Sequence, residues 1–181
     1  MKSKNFMSTK ALTYCALFAA LSVVLARLVG FMPSEFARFS IEAIPIFLAG
    51  LFFGPVWGAC VGFAADYVGC LFSAFGYNPI FCVPPILYGL CAGLMRPLFR
   101  RNVSLWKLIA AFAPSVVLGS VLYQSWALGF VSGNGFLFYL SSRAIQFAIT
   151  WAVDVALIYL MFKTKLFSRI GLWNPGKDEK K

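Results

Sequence analysis

The chain has no histidine, only six acidic residues, and a charged fraction of 12% over 181 residues. The missing histidine removes both the commonest general base and the commonest metal ligand. No GxSxG, no HExxH and no strand–P-loop–helix pattern occurs, so hydrolytic chemistry and nucleotide-driven work lack their usual machinery. The sequence therefore reads as a non-enzyme, with no catalytic residue, no metal site and no cofactor. The five cysteines, Cys15, Cys60, Cys70, Cys82 and Cys91, are odd in number, show no CxxC spacing and sit in or beside apolar runs. They read as small core residues rather than disulfides or ligands. The charged fraction is about half the ~25% usual for a soluble domain.

What is present is apolar. Hydrophobic residues make up 61% of the chain and phenylalanine alone contributes 20. A soluble protein of 20.0 kDa could not cover so much apolar surface, so the composition selects an integral membrane protein. The net charge of +10 would also suit nucleic acid, but its distribution excludes that reading. Six apolar spans are predicted, at about 11–28, 39–53, 55–73, 81–98, 108–128 and 136–162. Thirteen of the sixteen basic residues fall in three groups, in the N-tail, around the loop between the fourth and fifth spans and in the C-tail. These are Lys2, Lys4 and Lys10, then Arg96, Arg100, Arg101 and Lys107, then Lys163, Lys165, Arg169, Lys177, Lys180 and Lys181. A six-span chain puts all three groups on one side, and the positive-inside rule makes that side cytoplasmic. The expectation is an all-α membrane protein of one domain, residues 1–181, with both termini cytoplasmic and basic ends that meet anionic lipid. The first apolar run has no clean cleavage site before Arg27, and reads as a retained span.

The centre of the chain is the stretch from Arg38 to Gly69. Gly54-Pro55 breaks it into two helices. Gly54, Gly58 and Gly62 line one face of the second, and Gly89xxxGly93 repeats the pattern later; such faces let helices approach closely. Asp66 and Asp154 fall near the bilayer midplane, where a charge costs ~2.5–3.5 kcal/mol even on the lenient insertion scale. They suit either structural pairing or a proton or cation path.

Polar and aromatic residues gather at the outward ends of the spans. Arg27, Arg38 and Arg143 are the basic residues left outside the cytoplasmic groups. Tyr77, Asn78, Tyr88, Tyr123 and Trp126 lie at a similar level, with Gln124, Asn134 and Gln146 among them. Aromatics there can form an interfacial belt. Amides inside spans, however, are costly unless bonded, and arginine is the natural fork for a carboxylate. Together these residues predict an outward pocket for a flat, partly aromatic anion.

These features resemble a family. Six spans, basic cytoplasmic ends and Ala16xxxAla20 on the first span look like a substrate-binding S-component of the energy-coupling factor (ECF) vitamin transporters. The run Arg38-Phe-Ser, Pro45-Ile-Phe-Leu-Ala-Gly, Phe53-Gly-Pro, Gly58 and Ala65-Asp66 looks most like the folate-specific members. The resemblance implies a subunit without ATPase activity in a bacterial-type cell membrane. It would bind folate outside and deliver it inward with a membrane scaffold and two cytoplasmic ATPases. Ala16 and Ala20 would meet the scaffold, with Gly58 and Gly62 as further smooth docking surface. Two alternatives stand beside this reading: the same machine for another vitamin such as pantothenate, or a self-contained ion-coupled carrier worked by the membrane acids.

Overall fold

The computed structural model describes residues 9–28, 31–34, 37–39, 41–72, 77–99, 103–133, 136–164 and 166–169. Asn134, most of the basic N-tail, the end of the C-tail and Arg100–Arg101 lie outside the described residues. Helix α1 (Thr9–Leu28) comes first. Between the first two predicted spans lies a two-stranded antiparallel ribbon, β1 (Phe31–Ser34) and β2 (Ala37–Phe39), with Phe31 opposite Phe39. Phe39, expected to open the second span, therefore belongs to β2, and α2 starts only at Ala43 (Ala43–Phe53). Its eleven residues reach ~16 Å, about half of a ~30 Å hydrocarbon core.

Helix α2 is apolar all round and buried from Ala43 to Phe52. That pattern belongs to a helix enclosed by others. It ends at Gly54, whose φ of 103° is the conformation glycine adopts without strain. Pro55 then opens α3 (Pro55–Leu71) at the one helical position that tolerates its missing N–H. A 3₁₀ turn (Pro79–Cys82) leads into α4 (Val83–Leu94). Helices α2, α3 and α4 pack on one another, and α1 lies against α2 and α3.

The fifth span is irregular. Helix α5 (Leu105–Pro114) passes into nine residues of π-helix, Ser115–Tyr123, before α6 (Gln124–Ser132) restores the ordinary turn. Pro114 supplies the local cause: it has no N–H for the carbonyl one turn back, and its ring crowds that carbonyl. The wider π turn puts Ser115, Val116, Gly119 and Ser120 inside together. Helix α7 (Phe136–Lys163) runs back along α6, the π segment and α5, touches β2 and ends at the short α8 (Leu166–Arg169).

Among the described residues, three apolar helical stretches are long enough to cross a membrane: Thr9–Leu28, Leu105–Val131 and Tyr139–Lys163. Three shorter ones, Ala43–Phe53, Pro55–Leu71 and Pro79–Leu94, complete a six-helix bundle. Its core is aromatic: Phe47 and Phe112 meet at a tilt with centroids 4.3 Å apart, Tyr88 lies 5.5 Å from Phe112, and Phe52 meets Phe167 at 4.9 Å.

Candidate functional site

The glycines decide which surfaces are available. A β-carbon on Gly58 would overlap the Gly89 carbonyl, and one on Gly62 would overlap the Pro85 carbonyl. Gly89 and Gly93 meet α3 in the same way. Gly58 and Gly62, expected on a docking surface, are thus buried between α3 and α4 and unavailable to a partner. Ala16 and Ala20 differ. They lie on the exposed face of α1, while Cys15, Phe18 and Ser22 face inward.

The eleven expected ligand-binding residues separate into groups. Arg27 is exposed and donates to the Gly69 carbonyl, in the last turn of α3. A cation there completes a helix C-terminus, whose carbonyls lack partners and carry the negative end of the dipole. Asn78 accepts the Ile80 N–H at 3.1 Å and caps the 3₁₀ turn. Tyr77 is exposed and meets Tyr67 edge-on, centroids 5.2 Å apart. Tyr88 is a core residue, bonded to Ser120 Oγ at 2.8 Å across α4 and the π segment. Trp126 is 53% exposed and stacks on Phe130, itself 71% exposed. Its ring faces the surroundings of the bundle, as an interfacial aromatic does. Tyr123 and Gln124 are half-buried where the π segment meets α6.

Arg143 and Gln146 behave otherwise. Both are buried, at 8% and 4% exposure, and Tyr139 one turn earlier is fully buried. At 100° per residue, Tyr139, Arg143, Gln146, Thr150 and Asp154 fall within about a quarter turn of α7. This is a polar stripe on a largely apolar helix. The guanidinium of Arg143 lies 5.6 Å from the centroid of the Phe147 ring, within cation–π range. Arg38 sits on β2, the strand that touches α7. Helix α7 as a whole meets both β2 and α6. Tyr139 and Ser120 went unnamed in the sequence reading. Tyr139 was open to detection by its spacing from Arg143 and Gln146; Ser120 depends on the π turn, which no periodicity announces.

A second polar feature lies where α1, α2, α3 and α4 meet. Ser22, Arg27, Glu42, Asp66 and Cys70 line a cleft of about 100 Å³ among α1, α2, α3 and α4. Ser22 Oγ donates to the Glu42 carbonyl there at 2.8 Å. That volume holds a few waters, well below the ~300 Å³ at which small-molecule sites begin.

With this geometry in view, comparison with known proteins is specific. The family described as "ECF transporter, substrate-specific component" matches residues 10–169. The folate transporter FolT of Clostridium novyi (strain NT) is 23% identical over 164 residues, covering 90% of this chain and 91% of that protein. A crystal structure of FolT bound with folic acid superposes with a TM-score of 0.73 at 26% identity, covering 84% of this chain and 92% of that one. The S-component for biotin from an ECF-type ABC transporter shares the fold, with a TM-score of 0.62 at 18% identity over 89% of this chain and 95% of that one. The chain belongs to the substrate-specific components of the ECF transporters, membrane subunits that bind a solute and work with an ECF module.

Proposed function

We propose that this S-component takes folate from outside the cell membrane and hands it inward through a scaffold subunit carrying two cytoplasmic ATPases. The observation that carries the choice of ligand is the buried Arg143–Gln146 pair on α7. A guanidinium inside a membrane helix is expensive and suits a carboxylate; the neighbouring amide offers both donor and acceptor to a heterocycle. Likeness to a FolT structure holding folic acid supports the same choice. In this reading Arg143 and Gln146 contact the ligand, Tyr139 packs behind them, and Gln124 borders the site. Arg27, Asn78 and Tyr88 hold the fold, and Trp126 lies outside.

Docking is proposed on α1. Ala16 and Ala20 are exposed between Leu12, Leu17, Leu21 and Val24, also exposed. This gives a partner helix a shallow seat rimmed by leucine. Gly58 and Gly62 have no part in it.

The test is binding by the purified chain alone, with folate as ligand and pantothenate and riboflavin as controls. Saturable one-to-one folate binding without ATP supports the assignment. Tight binding of a control with none of folate moves the specificity to another vitamin.

A further inference from the structure

The five cysteines are not placed alike. With both termini cytoplasmic, α3 runs from inside to outside and α4 runs back. Cys15, Cys60 and Cys91 then lie towards the cytoplasmic ends of α1, α3 and α4. Cys70 is in the last turn of α3, and Cys82 closes the 3₁₀ turn that opens α4, so these two are the outward thiols. Disulfides form and persist outside the cell, whereas the cytosol keeps thiols reduced.

The outward thiols share one carboxylate. Cys70 Sγ donates to Asp66 Oδ2 at 4.0 Å. Cys82 lies within side-chain hydrogen-bonding reach of the same Asp66 and of Tyr77, and within electrostatic reach of Cys70. Asp66 is five residues before the end of α3, ~8 Å along it, nearer the outside than the midplane position expected for it. Cys70 is half-buried and lines the cleft among α1, α2, α3 and α4, while Cys82 is buried. One sulfur is open to a reagent and the second is shielded beside it, as in a reactive cysteine with its resolving partner. Both are reduced in the structure.

We propose that Cys70 and Cys82 are a redox pair, which forms a disulfide across the outward ends of α3 and α4 when a low-molecular-weight disulfide reaches the outer face. This holds whichever vitamin is bound. The Cys70 thiolate attacks one sulfur of the small disulfide, whose S–S bond breaks and releases a first thiol. Cys82 then attacks the Cys70 sulfur of the mixed disulfide and releases the second. The two cysteines lose two electrons, the small disulfide gains them, and the two cysteine protons end on the released thiols. Asp66 is the acceptor beside both sulfurs as those protons leave. The new bond braces the platform where its glycine packing stops. Gly62 would clash with the Pro85 carbonyl if it carried a β-carbon, whereas one on Gly69 would meet open space.

The experiment treats the full chain, in sealed right-side-out membrane vesicles, with oxidised glutathione, which stays outside. Remaining thiols are blocked with N-ethylmaleimide, and the protein is purified, digested and mapped by mass spectrometry. A Cys70–Cys82 linked peptide is expected, with Cys15, Cys60 and Cys91 alkylated. Tm in detergent should rise by ~5–10 °C on oxidation, the scale for a bond that closes so short a loop, and fall back on reduction. Cys82→Ser should leave glutathione on Cys70, and Cys70→Ser should leave Cys82 unmodified. Two outward cysteines that are both alkylated, or that each carry glutathione without a link, overturn the proposal. So does a linked pair with unchanged Tm. A link between Cys15 and Cys60, which also lie within electrostatic reach of each other, overturns it as well. The unsubstituted chain supplies both main readouts, so the outcome does not depend on a variant folding.

Discussion

Between α2, α3 and α4 the interior is backbone against backbone. On the π segment, α6 and α7 the buried surface is carried by side chains, and many of them are polar. In the first region Gly50, Gly58, Gly62, Gly89 and Gly93 each leave no room for a β-carbon, and α2 is enclosed on every face. In the second, Ser115, Ser120, Ser125, Arg143, Gln146 and Asp154 are buried, on helices that include nine residues of π turn. Close glycine packing draws on dispersion and backbone contact, the forces available where lipid removes the hydrophobic drive between helices. It makes a stiff platform but offers nothing to recognise a solute. Buried polar side chains cost stability and provide recognition. The proposed division of labour follows: α2–α4 hold shape, and α7 with its neighbours binds.

The largest effect is expected when a side chain is added to the platform. Gly62→Val forces methyl groups into the Pro85 carbonyl. Overpacking of ordinary cores costs ~1–3 kcal/mol, and a backbone obstacle cannot rotate away. Loss of monodisperse protein on size exclusion is the expected result, and normal yield with unchanged Tm would deny the platform its role. A milder change tests the seam between the regions. Tyr88→Phe deletes the bond to Ser120 across α4 and the π segment, costing about 1 kcal/mol. Tm in detergent should fall by a few degrees while ligand affinity stays within threefold; a large loss of affinity would move Tyr88 into the site. The smallest effect is expected at Trp126→Leu. The ring is 53% exposed, and exposed substitutions usually stay within ~0.5 kcal/mol. Unchanged ligand affinity is the expected reading, and a drop of tenfold or more would place the outer face of α6 against the ligand.

Much of this architecture is legible in the sequence, for stated reasons. The six spans follow from hydropathy, and Gly54-Pro55 marks the α2–α3 turn because φ at Gly54 is positive and Pro55 suits a first helical position. The β1–β2 ribbon does not announce itself: Phe31–Ser34 and Ala37–Phe39 are too short for a period of two to stand out. The glycine repeat is visible, but the surface it meets is not; Gly58 and Gly62 serve a helix of the same chain. The arginines show the same limit. Arg27 and Arg143 both lie at the outward ends of spans and have the same chemistry. Only the packing of α1 on α3 turns Arg27 to a helix end, while the Tyr139–Arg143–Gln146 spacing turns Arg143 inward. The π segment hides behind Pro114, which signals a kink but not its form.

The account turns on which arginine meets the ligand. The most direct measurement is folate titration of the purified chain carrying Arg143→Gln or Arg27→Gln, with Tm recorded for both. Arg143→Gln is predicted to weaken folate by ~100-fold, the loss expected for a buried charge-assisted pair. Arg27→Gln should leave affinity within threefold, since its partner is the end of α3. The reverse pattern, with Arg27→Gln losing folate and Arg143→Gln keeping it, would contradict a binding site on α7.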